Sequence, residues 1–329
     1  MSGDDALPTV RYRDGIEIDI DGETLVADAD EPRGDVNVLS HAHGDHLYGD
    51  APGDVVCSAL TARLANVRRD GERIEAGSHP AVELYPAGHI AGSRAALVDA
   101  GSARVLYTGD ISTRDRFYLD GFEPPSADVL VIETTYGKPA YTFPPQATVE
   151  RELVDWLDDT DGPVVLFGYA LGRAQKLQLL VGRSSRDRLF VSDAIAALND
   201  PIAAATGVEF GAERWSRETE LGANDALVLP TQLNKLAWVE SLVESTDATT
   251  VGVSGWAIED AFKYRGDYDA TFPLSDHCDF EELLAVVEAV DPERVYTQHG
   301  FADEFAHHLT RRGYDATTLK RNQTSISDF

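Results

Sequence analysis

Between positions 16 and 20 the chain alternates strictly. Ile16, Ile18 and Ile20 point one way and Glu17 and Asp19 the other, a period of two that predicts a strand turning at Asp21-Gly22 into a second one. Strand-sized apolar runs follow in "DVNVLS", "AVELYPAG", "RAALVDAG", "ARVLYTGD" and "DVLVIETTYG", and many end in something polar. After Glu133 the texture changes: "TVERELVDWLDD" has a helical period, "GPVVLFGYALGRAQKLQLLVGR" reads as strand, glycine turn and helix, and "ALVLP" and "TVGVSG" read as short strands. An α/β layer is thus inserted into the first pattern. The C-terminal stretch returns to that pattern. There "FPLSDHCDFEELLAVVEAV" puts Phe280, Leu283, Leu284, Val287 and Val290 on one helical stripe behind an Asp279/Glu282 capping box, and "RVYTQHG" supplies another strand.

The polar residues at these strand ends are unusual. "SHAHGDHLYG" places His41, His43, Asp45 and His46 within six positions, directly after the apolar run Val36-Asn37-Val38-Leu39. Residues two apart in an extended segment point the same way, so His41 and His43 can share one ion, whereas Asp45 and His46, at the start of an expected following helix, point at a second position. A catalytic zinc takes three protein ligands and keeps a position for water, so further donors are needed. Downstream strand ends offer them: His89 in "PAGHIAGS", Asp110 in "YTGDIS" and His299 in "YTQHG". One strand-end histidine fits a core hydrogen bond well, but this set together reads as a metal centre. His79 and the pair His307-His308 read as solvent-exposed.

Composition narrows the picture. The 329 residues hold 57 acidic against 28 basic side chains, a formal charge of −29, and only five of the basic residues are lysines. Acid spread through every segment with little lysine fits a cytoplasm at molar salt, where the Debye length falls to about 3 Å; the other reading is an acidic protein that avoids nucleic acid. Two cysteines, Cys57 and Cys278, are too few for a disulfide framework. Absence of a basic-then-apolar leader or a membrane-length apolar run points to a soluble, cytoplasmic chain with no membrane partner.

H-x-H-x-D-H with the downstream His, Asp and His resembles the metallo-β-lactamase fold. Glu133 in "VIETTYG", His277 in "LSDHCDF" and His299 in "TQHG", together with "GYALGRAQ" and "VSGW", resemble its nucleic-acid-processing β-CASP branch. In texture the chain is similar to DNA-ligase-associated exonuclease-like proteins and to archaeal relatives of the pre-mRNA 3′-end cleavage factor. That resemblance implies an αββα metallo-β-lactamase sandwich over residues 1–134 and 271–329, with a short β-CASP-like α/β cap over 135–270.

It also implies residue roles. His41, His43 and His89 hold one zinc ion, Asp45, His46 and His299 hold the other, and Asp110 bridges them; manganese is an alternative metal. A pair of ions about 3.5–4 Å apart generates a nucleophile from water and clamps both oxygens of an in-line displacement at phosphorus. Asp45 then belongs to the catalytic centre, and Asp28, which ends the run in "LVADAD", orients ligands in preference to Asp30. His277 protonates the leaving oxygen, with Glu133 fixing its tautomer. Gly172 and Arg173 at the glycine turn, and Ser254-Gly255, are candidates for phosphate contact, and each fits an ordinary turn equally well. Trp256 and Cys278 read as packing residues.

The expected function is therefore a dinuclear zinc nuclease on RNA or DNA, of RNA 3′-end-processing or DNA-repair exonuclease type, with a DNA ligase or an RNA-processing factor as partner. A small-molecule metallohydrolase acting on a thioester, lactone or lactam, and a non-catalytic scaffold, are the alternatives.

Overall fold

The computed structural model describes residues 7–20, 22–49 and 53–320; Asp21, half of the first expected turn, lies outside them. The chain divides into two compact units, Met1–Thr142 with His277–Phe329, and Phe143–Asp276.

The first unit holds two six-stranded sheets. One runs in the order Val10–Tyr12, Ile16–Ile20, Glu23–Ala27, Val36–Val38, Val55–Val56, Ala76–Gly77, antiparallel through its first three strands and parallel thereafter. The other runs Ala316–Thr318, Arg294–Gln298, Val129–Glu133, Arg104–Tyr107, Arg94–Asp99, Val82–Pro86, parallel up to its fourth strand and antiparallel beyond.

Alternation along the strands assigns their two faces. Val129 and Val131 pack with Val105, Tyr107, Ala96 and Val98 against Ile16, Ile18, Ile20, Leu25 and Val38 of the first sheet. Leu130 and Ile132, between them, pack with Leu106, Ala95 and Leu97 against the helix Phe280–Val290 and against Phe305 and Leu309 of the helix Ala302–Arg311. The central strand is thus apolar on both faces, which is why "VLVI" shows no alternation of polarity. The stripe and the capping box expected at Asp279 are both present. Each fully buried side chain of this size contributes about 1.5–3 kcal/mol relative to exposure. On the first sheet the helix Ala59–Arg68, capped by Ser58, lies against Ala76–Gly77.

One local expectation fails. No helix begins at Asp45-His46: residues 44–47 form a turn closed by His46 N–H donating to the His43 carbonyl at 3.1 Å, and the next helix starts at Ala59. Gly44 and Gly49 flank the stretch, and each costs a helix about 1 kcal/mol relative to alanine. His308, expected in solvent, is half-buried edge-on to Phe280.

The second unit is built on a parallel sheet in the order Glu213–Arg214, Arg188–Val191, Asp225–Pro230, Val164–Gly168, Thr249–Val253, Ala270–Phe272. Its central strands "VVLFG" and "DALVLP" are buried throughout. The expected strand, glycine turn and helix are Val164–Gly168 and Arg173–Val181. No helix among the described residues is long and apolar enough to cross a membrane.

Candidate metal centre

In the first unit, the parallel strands deliver their C-terminal ends to one edge. Asp28 follows Glu23–Ala27, Ser40 and His41 follow Val36–Val38, Asp110 follows Arg104–Tyr107, and the register Glu133↔Gln298 sets Glu133 beside the strand that leads into His299. His89 arrives on the loop after Val82–Pro86.

Four donors converge there. His41 Nε2 lies 3.1 Å from His43 Nδ1 and 3.4 Å from Asp110 Oδ2, and His89 Nε2 lies 3.3 Å from His43 Nδ1 and 3.6 Å from Asp110 Oδ2. Ligands about 2.0–2.2 Å from one tetrahedral ion stand about 3.3–3.6 Å from each other. The donor set therefore fits a metal ion in size and in chemistry, three imidazoles and one carboxylate. Burial, and then repulsion from His46, His43, His89 and His277, holds His41 well below the usual histidine range, so its ring is neutral, the form that ligates. Ser40 Oγ, 2.8 Å from His41 Nδ1, leaves Nε2 for the pocket.

Asp28, not Asp30, is the organising carboxylate. It accepts from Ser40 N–H at 2.8 Å, Ser40 Oγ at 2.5 Å and Tyr107 Oη at 2.7 Å, and lies 3.1 Å from His46 Nδ1. Burial raises its pKa, but His46 and the Ser40 hydrogen bonds outweigh that and hold it below the usual carboxylate range. Burial likewise lowers His46, and the Asp28 charge outweighs it, taking His46 up to about 9. Asp28 sits in the left-handed region at φ 51°, which aspartate tolerates better than most residues. Ser40 and Tyr107 were not among the expected site residues. The signals for them were weak: a hydroxyl beside the first histidine, and a tyrosine closing a strand before "TGD".

The second expected set is looser. Asp45 is exposed, its Oδ2 is 3.8 Å from His46 Nε2, and the His46 and His299 rings are 6.2 Å apart. His299 is also exposed, at φ 58°. Its turn is fixed by Thr134, whose hydroxyl donates to the His299 carbonyl at 2.5 Å, and by Gly300, where a Cβ would meet the Thr134 carbonyl oxygen at 2.4 Å.

Beside the tight pocket is an acid-base pair. His277 Nδ1 is 2.9 Å from Glu133 Oε1, and the His277 ring centroid is 4.4 Å from that of His89. Glu133 is fully buried and also accepts from Ile111 N–H at 3.2 Å and Thr135 N–H at 3.0 Å. Burial raises its pKa, but His277 and the Thr135 bonds bring it below the usual range, so it stays a carboxylate.

No protein-family model matches the chain. It is 36% identical over 300 residues to a probable DNA ligase from Opitutus terrae, a match covering 85% of this chain and 28% of that protein. It is 36% identical over 110 residues to an RNase J-like protein from Methanocaldococcus jannaschii, covering 32% and 26%. To the cleavage and polyadenylation specificity factor subunit 3 of Dictyostelium discoideum it is 34% identical over 107 residues, covering 30% and 13%. The chain thus spans little more than a quarter, or less, of these relatives. In structure it resembles a protein of unknown function from Enterococcus faecalis V583, with TM-score 0.64 and 14% identity over 91% of this chain and 96% of that one. The chain resembles the β-CASP branch of the metallo-β-lactamase fold.

In a metallo-β-lactamase setting the paired sheets and the His/Asp cluster at their edge are the expected architecture. The phosphate candidates are placed differently. Arg173 is 2% exposed, and its Nη2 pairs with Asp276 Oδ2 at 2.8 Å while Lys176 pairs with the other oxygen of that carboxylate. The buried guanidinium and the Lys176 ammonium thus share one carboxylate in an internal ion-pair network. Gly172, at φ 101°, makes the turn, and Ser254 Oγ accepts from Trp256 N–H at 3.3 Å ahead of the buried Gly255. Cys278 is fully buried in the core beneath the helix Phe280–Val290.

Proposed function

We propose that the protein is a metal-dependent phosphodiesterase acting on nucleic acid, with two zinc ions as its cofactor. The Glu133–His277 pair beside the four-donor pocket carries this reading. Hydrolysis of a thioester expels a thiolate that needs no proton, whereas a sugar oxygen leaving phosphorus needs one. When bound, the ions would acidify water and offset charge on the phosphoryl group.

The chain's own residues do the rest. His41, His43, His89 and Asp110 present the buried ion-holding face, Asp45, His46 and His299 present the open one, and Asp28 orients His46. Glu133 accepts from Nδ1–H of His277 and stabilises its imidazolium form, whose second proton, on Nε2, is the one delivered to the leaving oxygen. DNA is favoured as substrate because the relative matched over most of the chain is named a DNA ligase; a ligase partner follows from the same match, and RNA is the alternative. A charge of −29 repels a polyanion, so molar salt is expected both to screen substrate encounter and to maintain the fold.

The decisive assay uses 5′- and 3′-labelled single- and double-stranded DNA and RNA in molar KCl with zinc or manganese. Metal-dependent cleavage of a nucleic acid is expected. Hydrolysis of thioesters or lactones alone would overturn the reading.

A further inference from the structure

One segment contacts both the four-donor pocket and the acid-base pair. It runs from Asp110 to Phe122, contains no strand or helix, and is held by its own bonds: Arg116 and Leu119 exchange backbone hydrogen bonds at 2.8 Å each, and Asp115 Oδ1 accepts from Gly121 N–H at 2.8 Å. It begins with the carboxylate of the four-donor pocket. At Ile111 its N–H donates to Glu133 and its carbonyl accepts Cys278 N–H at 2.8 Å, so its first peptide already touches both sides of the acid-base pair.

Two arginines extend that grip in opposite directions. Arg114 Nη2 donates to the His277 carbonyl at 2.5 Å, and its Nε lies 2.9 Å from Glu282 Oε1, on the first turn of the helix that follows His277. Arg116 is 1% exposed and donates through Nη2 to the Gly88 carbonyl and, at 3.3 Å, to the His89 carbonyl. The approach is close: a Cβ on Gly88, at φ 68°, would lie 2.1 Å from the Ser112 carbonyl oxygen. A charge buried this deeply in a chain so poor in cations requires firm partners, and the partners here are the backbone of a pocket histidine.

We propose that Arg114 and Arg116 are positioning residues, two arms by which the Asp110–Phe122 segment sets the backbone of His277 and of His89 relative to Asp110. The proposal rests on the reading of His41, His43, His89 and Asp110 as an ion pocket and of His277 as the proton donor. Arg116 then governs how tightly the pocket holds metal, and Arg114 governs proton delivery without governing metal.

The test uses the full-length protein and four variants, Arg116→Lys, Arg116→Gln, Arg114→Lys and Arg114→Met. Zinc affinity is read by competition with a chelator, melting temperature is read with and without zinc, and cleavage is read on a dinucleotide and on a nitrophenyl phosphodiester. Arg116 variants are expected to lose zinc affinity about 10–100-fold, as residues behind metal ligands do, and to narrow the gap between the zinc-loaded and zinc-free melting temperatures. Arg114 variants are expected to keep wild-type zinc affinity and to lose kcat on the dinucleotide, with KM and nitrophenyl turnover little changed; lysine should restore part of the loss.

Equal falls in both melting temperatures with unchanged zinc affinity would overturn the role of Arg116. Equal losses on both substrates would overturn that of Arg114. If Arg116→Gln does not fold, Arg116→Lys decides by the same two readouts. A wild-type protein that binds no zinc fails the underlying reading instead, and that result is distinct from variants indistinguishable from a zinc-binding wild type.

Discussion

The two groups of donors at the sheet edge differ in preparation. His41, His43, His89 and Asp110 already bring their donor atoms within 4.8 Å of one another, with His43 and Asp110 each 3.1–3.6 Å from His41 and His89, which are fully buried. Asp45 and His299 lie in solvent, and of the second group only His46 is buried and braced by a carboxylate. Burial is what separates them. Buried donors such as His41 and His89 must find polar partners within the fold, because unpaired buried groups cost several kcal/mol each. An open set carries no such obligation, since water satisfies its members singly, so it is free to gather only around a ligand. One group of candidate donors is thus gathered by the fold itself, and the proposed second group is not.

The largest expected effect breaks the halves apart. His89→Ala removes a buried donor from the prepared pocket, and the purified protein should carry less than one ion per chain and lose cleavage to background. His299→Ala removes an exposed donor, and about one ion should stay while cleavage again collapses. Elemental analysis of both variants decides. Loss of all metal from His299→Ala would erase the distinction between the halves.

His277 stands beside His89, ring to ring at 4.4 Å, but belongs to neither proposed set of donors, so His277→Ala should leave the metal content at the wild-type value. Turnover on a nucleic acid should fall about 10²–10⁴-fold, and a nitrophenyl phosphodiester, whose leaving group needs no proton, should recover much of the loss. Glu133→Gln should act in the same direction and more weakly. Metal loss from His277→Ala would make that histidine a ligand and merge it with the prepared pocket.

A chelator titration of the unmodified protein probes the same contrast without mutation. Metal should leave in two steps, the first from the open set and accompanied by loss of cleavage, the second from the buried pocket at higher chelator concentration. A single step releasing both ions together would mean that the two halves are energetically one.

What the sequence shows of this centre follows the same division. His89, Asp110 and His299 are legible because each follows an apolar run beside or near glycine, and His41 to His46 because four donors crowd into six positions after such a run. Ser40 and Tyr107 left little trace, since a serine or tyrosine of the same spacing occurs in many strands and only the fold brings them to Asp28. Arg173 shows a related limit: its ion pair with the distant Asp276 is invisible from the glycine turn alone. The helix expected at Asp45 failed because apolar periodicity there ends at Leu39 and glycines take over. Side chains whose role depends on a partner far along the chain are those that one-dimensional reading misses.

The smallest expected effect concerns the hub between the halves. Asp28 reaches His46 directly and His41 only through Ser40, whose hydroxyl donates to Asp28 and stands 2.8 Å from His41 Nδ1. Asp28→Asn keeps the size of the side chain and an acceptor for Ser40 or Tyr107, but it removes the charge that orients His46, so the weakly held ion should lose about 10–100-fold in affinity while the buried one changes less. Ser40→Ala should do the reverse. It removes the partner of His41 Nδ1 and leaves the His46 contact with Asp28 in place, so the second step of the chelator titration should move to lower concentration and the first should stay. Comparing the two variants in one titration separates the braces: if both steps move together in either variant, Asp28 and Ser40 act as one rigid unit and the preparation of the buried pocket depends on the same carboxylate as the open set.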